Sequence, residues 1–348
     1  MAQSSDEMIK REIIETLGTE YNDLLLWVFP ESSKADQMIF GDSGGLTFGV
    51  NGLLYGSCDA CWVKKEPWVN PFNNQKTLYK PIIALEGTDA LNRGSSGDAQ
   101  YQRFHHALGS VKAGIIGVYY LKKGIYKIQE DLYGMAYYAS KIEKGTYLII
   151  DDLNDLRNLL DAVCHPSGLE KYIESQQNSM YCIFKKRFDE SYGSWDEFAK
   201  RRSTIIKDKY IIKYSGRMKR NFTDGSQRAG HIAVGEMYLT KYFFYDKHFF
   251  YLWPKMTADD RAYLDKHKKT DKEWALLRNE PNVTIITIDE LNGVPLHIVN
   301  SLKRISNEPL KGSVLSVYSK CVKFIEAGLL DDTITIDKAI LTKSGILS

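Results

Sequence analysis

The chain has 348 residues, 43% of them hydrophobic and 26% charged, enough for one large domain or two ordinary ones with a full core. Its apolar stretches are strand-sized, which excludes membrane-spanning helices. The mixed-charge start, Met1 to Arg11, does not read as a secretory signal, so a cytoplasmic protein is expected.

In chain order, Ser4-x-x-Glu7 is a capping-box pattern. It predicts a helix with apolar residues at Ile9, Ile13, Leu17, Tyr21, Leu24 and Val28, ending at Pro30. Strand material with Gly-rich turns follows over residues 38–63. Within it, Gly41-Asp42-Ser43-Gly44-Gly45 resembles the nucleophile segment of chymotrypsin-like proteases. That reading is excluded because the family needs His and Asp before the Ser, and the first histidine here is His105. Leu53 to Val63 reads as an apolar strand carrying Asp59, and Lys80 to Thr88 as another carrying Glu86. Pro67 to Gln75 between them is a loop. Asn92 to Gly97 is a turn, and Asp98 is placed to cap a helix over Ala99–Leu108. Gly114 to Leu121 has the continuous apolar pattern of an interior strand; Thr146–Ile150 is a further strand and Asp155–Val163 a helix.

The segment from Cys164 to Gly168 is the expected boundary, giving a catalytic core over 1–165 and a basic α+β region over 166–348. In the latter the pattern predicts strands at Tyr210–Tyr214, His231–Phe244, Phe249–Trp253 and Val283–Ile288. A helix is expected at Thr257–Lys269, and helical material from the last strand to about Gly328. Twelve Lys and Arg stand against five Asp and Glu between Lys185 and Arg220, which suits either a polyanion or a solvated helical face. The five cysteines are scattered and form no disulfide framework. Cys58-x-x-Cys61 lies inside a strand pattern, where burial is expected rather than redox or zinc use.

The chemistry is carried by the two acids. A carboxylate inside so apolar a strand is costly to bury unless something binds it. Two of them on adjacent strands imply a shared divalent cation, since hard cations take carboxylate oxygens. Such an ion suits phosphodiester cleavage. An alternative acidic site is Asp224 with Glu236, which follows the apolar run Ile232 to Gly235.

The Asp59 strand, the Glu86-Gly87-Thr88 strand, the following polar helix and the Gly114–Leu121 strand together resemble the PD-(D/E)xK nuclease superfamily, type II restriction endonucleases in particular. The resemblance covers roughly Asp42–Val163. It implies an α/β fold whose central mixed β-sheet is flanked by helices, a restriction-endonuclease-like core. It also implies a Mg²⁺-dependent, sequence-specific endonuclease on double-stranded DNA, acting as a homodimer in a restriction system. Asp59 and Glu86 match the metal carboxylates, with Thr88 and Gln100 completing the catalytic group. Thr88 stands where the family has Lys, so Lys64, Lys65 or Lys112 is expected to supply the charge; failing that, the protein binds nucleic acid without cutting it. DNA contacts are expected from Arg93, Arg103, Arg217, Lys219, Arg220, Gln227, Arg228 and His231: cations for phosphates, Arg and Gln for base edges.

Overall fold

Ile9, Ile13 and Leu17 recur at four-residue spacing and are all buried on one side of helix α1 (Ser5–Leu17). The computed structural model describes residues 5–28, 47–50, 53–92, 98–202, 204–206, 208, 210–214, 229–253, 262 and 272–287. Gly18 ends α1 at φ +76°, donating its N–H to the Ile14 carbonyl at 2.8 Å, the left-handed stop that glycine makes without strain. The helix expected as far as Pro30 is therefore corrected. β1 (Glu20–Tyr21) and β2 (Leu24–Val28) follow instead, and the helical spacing of Tyr21, Leu24 and Val28 is incidental to an apolar strand run.

The single strand expected over Leu53 to Val63 is two. β3 (Thr47–Val50) and β4 (Leu53–Ser57) make a separate hairpin, and β5 (Ala60–Lys64) begins after Asp59. A short hairpin, β6 (Trp68–Val69) with β7 (Lys76–Thr77), leads to β8 (Lys80–Thr88). Pro81 sits in β8 where the β5–β8 register shifts, a place that tolerates a residue with no N–H to donate. The helix expected over 99–108 is broken into α2 (Asp98–Tyr101) and α3 (Phe104–Lys112). β9 (Ile116–Leu121), α4 (Glu130–Ile142), β10 (Thr146–Ile150), α5 (Leu153–Cys164) and α6 (Pro166–Ser191) complete this part.

The sheet order is β1-β2-β5-β8-β9-β10. β2, β5 and β8 are antiparallel neighbours, whereas β8, β9 and β10 run parallel. α1 lies on one face, where a Cβ on Gly87 would come within 2.9 Å of Ile9. α3 lies on the other, so close that a Cβ on Gly117 would meet the Ala107 carbonyl at 2.6 Å. Tyr119 and Tyr147 point to this second face and donate their hydroxyls to the carbonyls of Gln100 and Phe104. At the β10 edge, Ser140 on α4 bonds both the N–H and the carbonyl of Tyr147, and Gln177 on α6 donates to the same carbonyl at 3.0 Å. The molecule is thus mixed α/β, with a central mixed sheet flanked by helices.

Two compact units are distinguished, Met1–Arg187 and Phe188–Ser348, dividing within α6. The second contains α7 (Trp195–Arg201), β11 (Thr204–Ile206), β12 (Tyr210–Tyr214), α8 (Ala229–Phe243), β13 (His248–Trp253), α9 (Lys272–Asn279) and β14 (Val283–Thr287). Its sheet runs β11-β12-β13-β14, with the last three strands parallel. The strand expected at His231–Phe244 is corrected to helix α8. Ala233, Val234, Met237, Tyr238, Leu239 and Tyr242 are all buried there, so the segment is apolar nearly all round and its helical period is masked. Residues 257–269, apart from 262, and the expected helical material beyond 288 lie outside the described residues. Among the described residues, no helix is long and apolar enough to cross a membrane.

Candidate functional site

Asp59 heads β5 and Glu86 lies near the C-terminal end of β8, so both acids fall at the same end of the central sheet. In open α/β sheets this end, beyond the carboxyl termini of the parallel strands, is where ligands bind. Asp59 extends the ladder past the start of β5. Its N–H donates to the Leu85 carbonyl at 2.9 Å, and its Oδ2 accepts the Gly87 N–H at 2.8 Å. From the α1 side, Lys10 brings its Nζ to 3.2 Å from Asp59 Oδ1, although that side chain is only 5% exposed.

Glu86 is met from the α3 side. Arg103 Nη1 lies 3.2 Å from Glu86 Oε1, and His106 Nδ1 lies 3.1 Å from the same oxygen. The break between α2 and α3 explains this approach: Arg103, at φ −109° and ψ 4°, leaves helical geometry and also donates to the Gly87 carbonyl at 3.3 Å. His106 is wedged by Gly56, whose φ of +154° and whose missing Cβ, which would lie 3.0 Å from the imidazole, both demand glycine. The Glu86 side chain is 3% exposed, and Oε2 takes no hydrogen bond or ion pair among the described residues. Oε2 is not sealed from solvent, so water or a ligand at this end of the sheet can satisfy it.

The remaining expected residues divide sharply. Thr88 accepts the Ala90 N–H on Oγ1 at 3.3 Å, shaping the turn after β8. Gln100 is engaged at both ends of its amide: Nε2 donates to the Lys127 carbonyl at 3.0 Å and Oε1 accepts the Gln129 N–H at 2.9 Å. The expected catalytic neighbour is thus a clasp for the segment after β9. Arg103, expected on DNA, is the internal partner of Glu86. His231 falls in α8 rather than on a strand. Arg93, Arg217, Lys219, Arg220, Gln227 and Arg228 lie outside the described residues.

Of the lysines expected to stand in for the one missing at position 88, Lys64 pairs with Asp23 at 2.6 Å and Lys112 with Glu143 at 2.7 Å, and Lys65 is exposed. The cation beside Asp59 is Lys10, which the sequence reading missed. Its one signal is a lysine directly beside the buried Ile9 of an amphipathic helix. Adjacent histidines diverge around a helix: His105 is fully buried while His106 turns to Glu86. The alternative acid, Glu236, is occupied by Lys213 at 3.0 Å and by the Tyr251 hydroxyl. Cys58 and Cys61 are buried free thiols. Burial pushes the Cys58 thiol well up, aided by Cys61 and by the negative charge of Asp59 and Glu86, so it stays protonated and inert.

The expected shared-metal pair is corrected: Asp59 turns to the α1 face, its Oδ2 on the side where a Gly87 Cβ would lie, whereas Glu86 turns to the α3 face, so the two carboxylates stand on opposite faces of the sheet and do not converge on one ion. Glu86 Oε2 alone is left for a ligand, and among the described residues no group of three or more His, Cys, Asp or Glu side chains gathers into a metal cage. Comparison of the chain with protein-family models, with curated proteins and with solved structures gives no match.

Proposed function

We propose that the protein is a Mg²⁺-dependent endonuclease of double-stranded DNA, similar to type II restriction enzymes. The observation that carries this is Glu86, a nearly enclosed carboxylate with an uncommitted oxygen, on the strand hydrogen-bonded to the one that Asp59 begins. The layout supports the reading: one acid at the head of a strand, the second on its neighbour, and a helix bearing polar groups behind the sheet. Glu86 would hold the ion through Oε2, which when bound lowers the pKa of water and stabilises the departing 3′ oxygen, and Asp59, on the opposite face, would fix the end of the strand that carries Glu86. Lys10 and Arg103 keep positive charge beside the carboxylates, so an approaching phosphodiester does not meet bare negative charge. Thr88 holds the turn beyond β8. A homodimer would match a palindromic site, two-fold on two-fold.

The test is digestion of plasmid DNA by the purified chain with Mg²⁺ and with EDTA. Discrete fragments that need Mg²⁺ are expected, and intact DNA in both arms would overturn the reading. A second reading, nucleic-acid binding without cleavage, is favoured by the absence of lysine at Thr88 and by the cations already seated on both acids. Retarded but uncut DNA in the same experiment selects it.

A further inference from the structure

The segment between β9 and α4 leaves the same end of the sheet as Glu86 and is held along its length. Lys122 donates its N–H to the Thr88 carbonyl at 2.9 Å, Lys123 to Asp151 at 3.3 Å and Tyr126 to Leu91 at 3.0 Å. Gln100 clasps Lys127 and Gln129. Gly124 passes so close to the 90–92 turn that a Cβ would sit 2.6 Å from the Leu91 carbonyl. These bonds fix the backbone, yet Ile125 stands 82% exposed and Tyr126 44% exposed. Ile125 is the most exposed large hydrophobic side chain among the described residues.

Lys123 and Lys127 flank this apolar tip; both are exposed and neither has an ion-pair partner among the described residues. Of the nearby acids, Glu12 is taken by Lys122 at 2.5 Å and Asp152 caps α5 through the Asn154 N–H at 2.7 Å, leaving Asp151 half-buried. A rigid apolar tip between two uncommitted cations has the chemistry of a nucleic-acid wedge, with lysines for phosphates and an aliphatic or aromatic side chain for the groove floor or a base step.

We infer that the Lys123–Lys127 loop is a duplex-DNA contact, with Ile125 and Tyr126 entering a groove and Lys123 and Lys127 on the flanking phosphates. This rests on the proposed function and adds to it the element that seats the duplex against the Glu86 end of the sheet. The loop lies between Lys122, held by the Thr88 carbonyl, and Lys127, held by the Gln100 amide, so those two bonds set its position.

The experiment compares the full chain with Lys123→Ala/Lys127→Ala and with Ile125→Ser, measuring affinity for duplex DNA by anisotropy across a salt series, and cleavage in parallel. The double lysine variant is expected to weaken binding about tenfold or more and to lower the salt slope by about 2, one phosphate contact per lysine. Ile125→Ser is expected to weaken binding while leaving the salt slope unchanged. A photoreactive side chain at position 125 is expected to crosslink to duplex DNA. If the unaltered chain binds and cuts DNA, both variants match it and position 125 gives no crosslink, the loop inference is overturned and the endonuclease reading stands. If the unaltered chain neither binds nor cuts DNA, both fall.

Discussion

Glu86 in the first unit and Glu236 in the second are alike in sequence: each is an acid set in or beside an apolar run next to a sheet. The structure separates them by how they are satisfied. Glu236 has a cation on one oxygen and the Tyr251 hydroxyl on the other, a closed arrangement that suits a structural ion pair. Glu86 has the Arg103 guanidinium and the His106 imidazole on one oxygen and, among the described residues, no hydrogen-bond or ion-pair partner on the other. Burial of an acid therefore says little about function until each of its oxygens is accounted for.

The sharpest way to break this comparison is to remove each acid in turn. Glu86→Gln is expected to lower Mg²⁺-dependent DNA cleavage by about 10³-fold or more, while the duplex is still retained. An unchanged cleavage rate in this variant would place the active centre elsewhere. Glu236→Ala is expected to do the reverse. It leaves Lys213, 4% exposed, without its carboxylate, so unfolding in urea should show a loss of about 3 kcal/mol with the cleavage rate of the folded fraction intact. A cleavage defect without a stability defect would make Glu236 the catalytic acid.

Lys10→Met tests whether the cation beside Asp59 acts or merely compensates. A fall of about 10²-fold in cleavage with modest loss of stability is expected, and Lys10→Arg should restore part of it. Equal behaviour of the Met and Arg variants would assign Lys10 to packing. Gln100→Ala removes both bonds to the 127–129 backbone. It should raise hydrogen exchange across residues 122–129, at a cost of about 1–3 kcal/mol, whereas a directly catalytic Gln100 would lose activity with exchange unaltered.

The smallest effect concerns His248 in the second unit, where burial holds the imidazole down at about 4 while its Nε2 lies 2.9 Å from Thr284 Oγ1. Its folded pKa is depressed, so the neutral form favours the folded state. That contribution is complete above the unfolded value of about 6.5 and is lost as pH falls from there through about 4. After discounting for solvent at a partly exposed ring, the change is about 1–2 kcal/mol. Thermal melts between pH 7 and pH 4.5 should show His248→Gln losing less stability on acidification than the unaltered chain.

The parts of this fold legible from sequence are those whose burial pattern is unambiguous. β9 and β10 are covered on both faces, and their apolar runs leave one reading, as does the single buried stripe of α5, Leu156, Leu159 and Leu160. α8 was misread because residues buried on several sides erase the 3.6-residue period. β1 and β2 were absorbed into α1 because the stop at Gly18 is a backbone event that apolar spacing does not register. Asp59 and Glu86 stand out in the sequence as acids within apolar strands, but the pattern does not reveal that their carboxylates leave on opposite faces of the sheet. Lys10 does not stand out, since nothing local ties a helix residue to a strand head far along the chain. Gln100 was assigned to chemistry because its sequence neighbourhood could not reveal the two backbone groups waiting for its amide.

The sealing of Tyr147 by Ser140 and Gln177 bears on assembly. With its outward peptide groups already spoken for, β10 offers no template at that point for a neighbouring molecule to lengthen the sheet. Extension of the sheet across this edge is thus blocked at Tyr147 by side chains of the same chain.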